Sequence, residues 1–373
     1  MSTAATEAPP EILIPSLPND IALQCLARVP RQYHPVLAAV SKPIRSLLSS
    51  PHFFAVRSSL NCSELLPYLR IHSQSDKTLS WSAVYGRRPN PNSDDNKTNI
   101  IIAPVPGLPD DCLDWSHNVA IGPKIYVFGG KTDRLFSTKV WIFDCRFHTW
   151  ERGPSMPTAL GCATKTVVFD GKIYVIRQWK MTGSWADVFD AVAGRWEALP
   201  SPVLEVYGKL VLGCAIRGGK VCIWMDKEEL RFDPAMKTWE AFESRIGYGL
   251  DWNIEMCEVN GVLCCLDGYS GLIKGFDERI GGWKRLKFVN KGMRSYRRNL
   301  RMSNVGGRLV ILESALLRNL EKTMGVWCVE IEVKKDKDGN LQGEVLWSEM
   351  VYSTCVCGTY RWPLLYNCMP VSL

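Results

Sequence analysis

The 373-residue chain has little histidine. Its five imidazoles, at His34, His52, His72, His117 and His148, all lie at or before position 148. Everything beyond is left without one, which argues there against Ser-His-Asp, Cys-His and His-metal chemistry. No apolar run approaches the roughly 18 residues that a membrane helix needs, and no signal peptide is read at the start. Neither membrane association nor secretion is therefore expected. No Cys-x-x-Cys pair occurs among the fourteen cysteines. Cys355 and Cys357 come nearest, and two cysteines alone do not make a zinc site. Cys222, Cys264, Cys265 and Cys328 fall inside strand patterns and read as small core residues, reduced thiols of the cytoplasm or nucleus. No metal or cofactor is expected. The formal net charge of +7 is modest. With no basic helix or base-stacking platform beside it, it argues against nucleic acid.

What is present is a phrase repeated four times. Phe143-Asp144 precedes Trp150, Phe189-Asp190 precedes Trp196, Phe232-Asp233 precedes Trp239, and Phe276-Asp277 precedes Trp283. In each the Trp stands six positions after the Asp, inside a period in the mid-forties, the mark of a repeat architecture. The residues before each Asp read as a strand. Asp opens a tight turn by bonding backbone N–H groups two residues on, and Trp restarts a strand while offering a broad packing surface.

A second strand precedes each phrase after a glycine turn: Lys124 to Gly129, Lys172 to Ile176, Lys220 to Ile223, Val262 to Leu266 and Arg308 to Leu312. Leu160-Gly161-Cys162-Ala163 and Leu212-Gly213-Cys214-Ala215 supply small residues suited to an innermost strand. Each repeat thus yields four strands, a to d from inside out, and radial four-stranded blades make a β-propeller. Five repeats span 112–350. An open ring would expose two edges. Strands at 81–85 and 100–104 before the repeats, and at 352–357 and around 364–366 after them, are expected to build a closing sixth blade.

The Gly129-Gly130 pair, the Phe-Asp turn and the Thr149-Trp150 ending resemble kelch repeats. Later copies depart from that pattern, with Arg177-Gln178, Met225-Asp226 and Glu313-Ser314 in place of a double glycine. The fifth carries Ile331-Glu332 for Phe-Asp, an enlarged turn over 334–340, and Trp347 in the outer strand.

The first sixty residues differ in kind. Residues 1–11 read as disordered. Ser16 is placed as an N-cap with Pro18 in the first turn, and Ile21, Cys25, Leu26 and Val29 recur at helical spacing. Val36 to Val40 is a second apolar stretch, and Pro43 suits the first turn of another helix. A small three-helix cap is the plain reading. The ordered phrases Leu17-Pro18-x-Asp20, Val40-Ser41-Lys42, Arg45-Ser46-Leu47 and Ser50-Pro51-x-Phe53 resemble the F-box.

The expected organisation is a mainly β chain with a disordered 1–11 and an α-helical F-box at 12–58. A linker and closing-blade strands at 59–111 follow, then repeats at 112–350 and closing strands at 351–373. An F-box followed by kelch repeats resembles the plant F-box/kelch-repeat proteins. The resemblance implies a non-catalytic substrate receptor of an SCF ubiquitin ligase, bound through a Skp-family adaptor to cullin and RING subunits. Leu17, Pro18, Ile21, Leu26, Val40 and Leu47 are then expected adaptor contacts, internal packing being the alternative for each. A kelch scaffold without ligase activity and an iron-dependent kelch lyase are the competing classes. The lyase would need converging acids at the channel mouth.

Within a blade, a–b and c–d turns share one face, and b–c and d–a loops share the other. The second set varies from blade to blade, as recognition loops do. It carries Arg134, Arg177, Trp179, Trp185, Tyr248 and Trp252, and a basic run with Arg294, Arg297, Arg298 and Arg301. These mark an expected target-binding face for an acidic or phosphorylated segment.

Overall fold

The repeated phrase folds as a hairpin whose turn is built by its own Asp. Asp190 Oδ1 accepts the backbone N–H of Val192 at 3.0 Å and of Ala193 at 2.8 Å. Asp233 Oδ1 does the same for Ala235 at 2.9 Å and Met236 at 3.1 Å. Asp144 and Asp277 accept once, from Arg146 and Arg279, and pair with those same guanidinium groups. The hairpin register sets each Phe directly opposite its Trp. Their ring centroids lie 4.7, 5.0, 4.8 and 5.5 Å apart, the cross-strand aromatic pairing that stabilises a two-stranded edge.

The computed structural model describes residues 12–72, 79–86, 100–109, 116–132, 135–161, 164–177, 184–202, 209–225, 228–243, 255–266, 271–277, 279, 282–289, 300–316, 323–355 and 365–373. The stretch 1–11, expected to be disordered, lies outside these residues.

Six antiparallel blades form the propeller. The first is Ser116–Ile121, Lys124–Gly129, Val140–Asp144 and Thr149–Gly153, in order from inside to outside. The second is Lys165–Phe169, Lys172–Ile176, Ala186–Asp190 and Arg195–Ala198. The third is Val211–Arg217, Lys220–Met225, Glu228–Asp233 and Thr238–Glu243, and the fourth Glu255–Val259, Val262–Leu266, Ile273–Asp277 and Gly282–Arg285. The fifth is Leu300–Val305, Arg308–Leu316, Thr323–Lys335 and Leu341–Cys355, with Lys287–Phe288 added in parallel at its edge.

The sixth blade closes the ring from both ends of the chain. Leu365–Ser372 is innermost, followed by Leu65–His72, Leu79–Gly86 and Ile100–Val105. Leu66 pairs with Val371 and Tyr68 with Met369, and the sixth blade's inner strand touches those of the fifth and first. Two details differ from expectation. Leu65–His72 is a full strand that carries no repeat signature. Tyr352 to Cys355 does not join the closing blade, because the outer strand of blade 5 keeps pairing with Thr323–Lys335 to its end, Thr323 opposite Cys355.

Side-chain alternation along each strand fills both blade-to-blade interfaces at once. Ile125 and Val127 pack with Tyr68, Ala83 and Met369 of blade 6. Their neighbours Tyr126 and Phe128 pack with Ile173, Val175 and Phe189 of blade 2. Phe128 also meets Trp196 edge-on at 5.7 Å, so the outer Trp of one blade covers the preceding blade.

Gly129 and Gly130 have φ of +70° and +107°, which explains the double glycine of blade 1. Arg177 and Glu313 occupy the first of these positions in blades 2 and 5, and both are buried.

Candidate functional site

The helical module comprises α1 (Asn19–Ala27), α2 (His34–Val40), α3 (Lys42–Leu48) and α4 (Pro51–Ser59), with a 3-10 turn at Arg31–Tyr33. Ser41 Oγ accepts the Ile44 N–H and Ser50 Oγ the Phe53 N–H, so two helices are capped by their own sequence. Pro35, Pro43 and Pro51 sit in first turns, where a missing N–H costs nothing. The expected Ser16 cap is not formed. Ser16 lies in a left-handed turn at φ +65°, Leu17 N–H closes that turn on the Ile14 carbonyl, and Pro18 occupies the cap position.

Leu26, Ala27, Ile44, Leu48, Phe53 and Phe54 form the module's core. Leu26, expected to contact an adaptor, is therefore an internal packing residue at 5% exposure. Leu47 is half-buried against the same core, and Leu17 is half-buried. Pro18 is exposed, as are Ile21 at 42% and Val40 at 67%. Val36, four residues before Val40 on the same helical face, is 66% exposed, and Tyr33 is 42% exposed. The Val36 and Val40 spacing was available in the sequence as the signal for this second apolar patch.

The module is seated on the propeller. The Arg31 guanidinium Nη2 donates to the carbonyls of Cys145 at 2.7 Å and Arg146 at 3.0 Å, in the c–d turn of blade 1. Arg31 N–H donates to Glu64 Oε2 at 2.7 Å, and Arg57 Nη2 reaches the same oxygen at 2.8 Å. Arg57, 1% exposed, also donates to the carbonyls of Ala27, Val29 and Cys62, closing the C-terminal end of α1. Phe147 of the blade 1 turn meets Phe54 edge-on at 5.5 Å. Burial, with Arg57 and Arg31 adding to it, lowers the His34 imidazole to about 4.

On the face of b–c and d–a loops, two expected target contacts are turned inward. Arg177 is 4% exposed, pairs with fully buried Asp187 at 2.7 Å, and donates to the carbonyls of Ser184 and Thr158. Trp185 is 2% exposed and stacks edge-on with Trp239 of blade 3 at 5.4 Å. Arg177 is structural because the departure from glycine at this position puts a charge in an inter-strand site that only a buried partner can satisfy, and Trp185 because it packs in the apolar interface between blades 2 and 3. Arg134, Trp179, Tyr248, Trp252, Arg294, Arg297 and Arg298 lie outside the described residues. Arg301, the last of the basic run, holds Glu255 of the neighbouring inner strand, Nε to Oε1 at 3.3 Å, while Met302 N–H donates to the other oxygen at 2.5 Å. Burial raises the Glu255 carboxyl, and Arg301, Met302 and Lys165 oppose that rise. These groups stand at the loop end of the inner strands of blades 2, 4 and 5.

Among the described residues no three His, Cys, Asp or Glu side chains gather as a metal site would require. Cys214, Cys222, Cys264 and Cys328 are free thiols outside any disulfide, and burial pushes them up to about 12, the behaviour of core residues. A small cavity of about 110 Å³ lies on the opposite, short-turn face, where Arg217 stacks over Phe276.

Comparison with known proteins places two family models on the chain. Residues 14–55 match the F-box domain and residues 84–352 match the FKB95 kelch-repeats domain. Among curated relatives, the F-box/kelch-repeat protein At4g39590 of Arabidopsis thaliana is 32% identical over 91% of this chain and 86% of its own length. F-box/kelch-repeat protein At4g39240 of the same plant is 33% identical over 90% and 86%, and the putative F-box/kelch-repeat protein At1g61540 is 31% identical over 93% and 91%.

Proposed function

Because this chain belongs to the F-box/kelch-repeat family, we propose that it is the target-binding subunit of an SCF-type ubiquitin ligase. In this reading the helices engage a Skp-family adaptor, which links to cullin and RING subunits, and the propeller holds the protein to be ubiquitinated. The chain acts in the cytoplasm or nucleus and supplies binding and placement, with the chemistry left to its partners.

The observation that carries the reading is the exposure of Ile21, Val36 and Val40 on a module whose own core is already closed. These apolar side chains are available to a partner surface. Left in water they forgo roughly 25 cal/mol for each Å² of apolar surface, which a partner surface recovers. The scaffold reading requires these helices to pack internally; α2 packs through His34, Leu37 and Ala38 and leaves Val36 and Val40 for a partner.

Binding of the purified chain to a Skp-family adaptor tests this directly, beside a Val36→Asp/Val40→Asp variant. Binding by the wild type that the variant loses, at unchanged thermal stability, supports the reading. Absence of binding by the wild type removes it.

For the target we propose an acidic or phosphorylated segment at the loop face. Its support is the basic run between blades 4 and 5, whose last member Arg301 acts, as Lys165 does, on Glu255 of an inner strand. An Arg297→Glu/Arg298→Glu reversal is expected to abolish target capture and leave adaptor binding intact. Capture that survives the reversal would move the target to another face.

A further inference from the structure

We propose that Arg31 is a positioning residue: it clamps the helical module to blade 1 in a single orientation and so fixes the direction in which the propeller presents a target. The inference rests on the ligase reading above.

The segment joining the two parts is short and has no slack. Leu60 to Ser63 follows α4 directly, and Cys62 is tied back to Arg57 through its N–H at 2.8 Å and its carbonyl at 2.8 Å. Glu64 then exchanges backbone hydrogen bonds with Leu373, at 2.6 and 2.8 Å, beside the innermost strand of the closing blade. Its carboxylate faces the other way and receives both Arg31 and Arg57. A flexible Gly/Ser tether would let the module swing. Here both ends are held.

Arg31 gives the contact its direction. It is 7% exposed, and its guanidinium meets two successive carbonyls of the blade 1 turn while lying 5.3 Å from the Phe54 ring centroid. A buried guanidinium displaced from its acceptors is strongly destabilised, so the module has one well-defined seat instead of a range of nearby ones. The blade 1 turn is specialised for this. Three residues after its Asp stands Phe147, packed on the module, where blade 3 has Met236 at 72% exposure. Blade 2 has Ala193 there, and its neighbour Val192 is 94% exposed.

Two measurements on the full chain test the clamp. In small-angle X-ray scattering the wild type is expected to fit one rigid arrangement, and Arg31→Ala to show a larger maximum dimension. Phe147→Ala, made from the propeller side, is expected to do the same with both parts folded by circular dichroism. In the ligase reconstituted with adaptor, cullin, RING subunit, ubiquitin and its activating and conjugating enzymes, the receptor's own lysines serve as acceptors. Mass spectrometry is expected to find ubiquitin on a restricted set of propeller lysines in the wild type. In Arg31→Ala it spreads to lysines that the wild type leaves unmodified, at equal adaptor affinity, and Arg31→Lys, which can reach only part of the acceptor set, falls between. Unchanged scattering in both variants overturns the clamp. Altered scattering with an unchanged lysine pattern overturns the positioning role. No adaptor binding and no transfer with the wild type overturns the ligase reading instead, while the scattering still reports on the clamp.

Discussion

Trp196, in the outer strand of blade 2, donates its indole N–H to the carbonyl of Pro154, 3.0 Å away and just past the outer strand of blade 1. Trp150 makes the same bond to Pro106 at 3.0 Å, and Trp239 to Pro200 at 2.7 Å. The repeated Trp therefore joins successive blades as well as the two strands of its own hairpin. Trp196→Phe keeps an aromatic ring near Phe128 and Phe189 and loses the hydrogen bond with part of the indole's packing surface. It is expected to cost about 0.5–1 kcal/mol. Trp196→Ala removes the ring too and is expected to cost about 3 kcal/mol. Urea midpoints of the two variants check the separation.

Leu26 and Val40 should separate stability from binding. Leu26→Ala opens the module's core and is expected to cost about 2–5 kcal/mol. Val40→Ala touches an exposed side chain and should change stability by less than about 0.5 kcal/mol. Adaptor affinity measured on the folded proteins should fall with Val40→Ala. The opposite assignment of effects would place Val40 inside the module and Leu26 at the interface.

The Arg177–Asp187 pair predicts a strong asymmetry between breaking and replacing it. Asp187→Ala leaves a guanidinium buried without its carboxylate and is expected to cost about 3–5 kcal/mol. A double Arg177→Met/Asp187→Leu variant should recover much of that loss, because neither charge then remains to be desolvated. A denaturation-based double-mutant cycle measures the coupling.

Glu313 gives a pH-dependent prediction. Burial raises its carboxyl to about 8 from an ordinary value of 4.5, and its Oε1 is buried with no hydrogen-bond partner among the described residues. In the folded chain it keeps a proton that the unfolded chain releases above about 4.5. Its contribution to stability is therefore complete below that pH and is lost as pH rises toward about 8. Glu313→Gln should flatten this decline. At pH 8 it should melt about 2–4 °C above the wild type, and the gap should close near pH 4. Thermal melts across that range read the difference.

Much of this was legible in the chain. The Phe-Asp-x5-Trp hairpins could be read because their causes are local: an Asp that bonds N–H groups two and three residues on, and an aromatic pair set opposite by that turn. The capped starts at Ser41 and Ser50 are local in the same way. Leu65–His72 escaped because it contains Pro67 and matches no repeat, and its inner partner lies some 300 residues on, at 365–372. Arg177 and Trp185 were read as loop contacts because their sequence positions follow or precede a strand. Their burial depends on Asp187 and Trp239, which the local pattern does not bring to them.

By itself the sequence determined the repeat, the turn chemistry and the kind of helical module that precedes them, since each follows from hydrogen bonds and packing within some fifty residues. Only the tertiary structure decided which side chains those elements cover. Packing within and between blades buried Arg177, Trp185 and Glu313. Packing of the helices on one another took Leu26 inward, seating them on blade 1 took Arg31, and Val36 and Val40 stayed outside. Exposure is a property of what stands opposite a residue, and for Trp185 and Arg31 what stands opposite comes from another blade or another module.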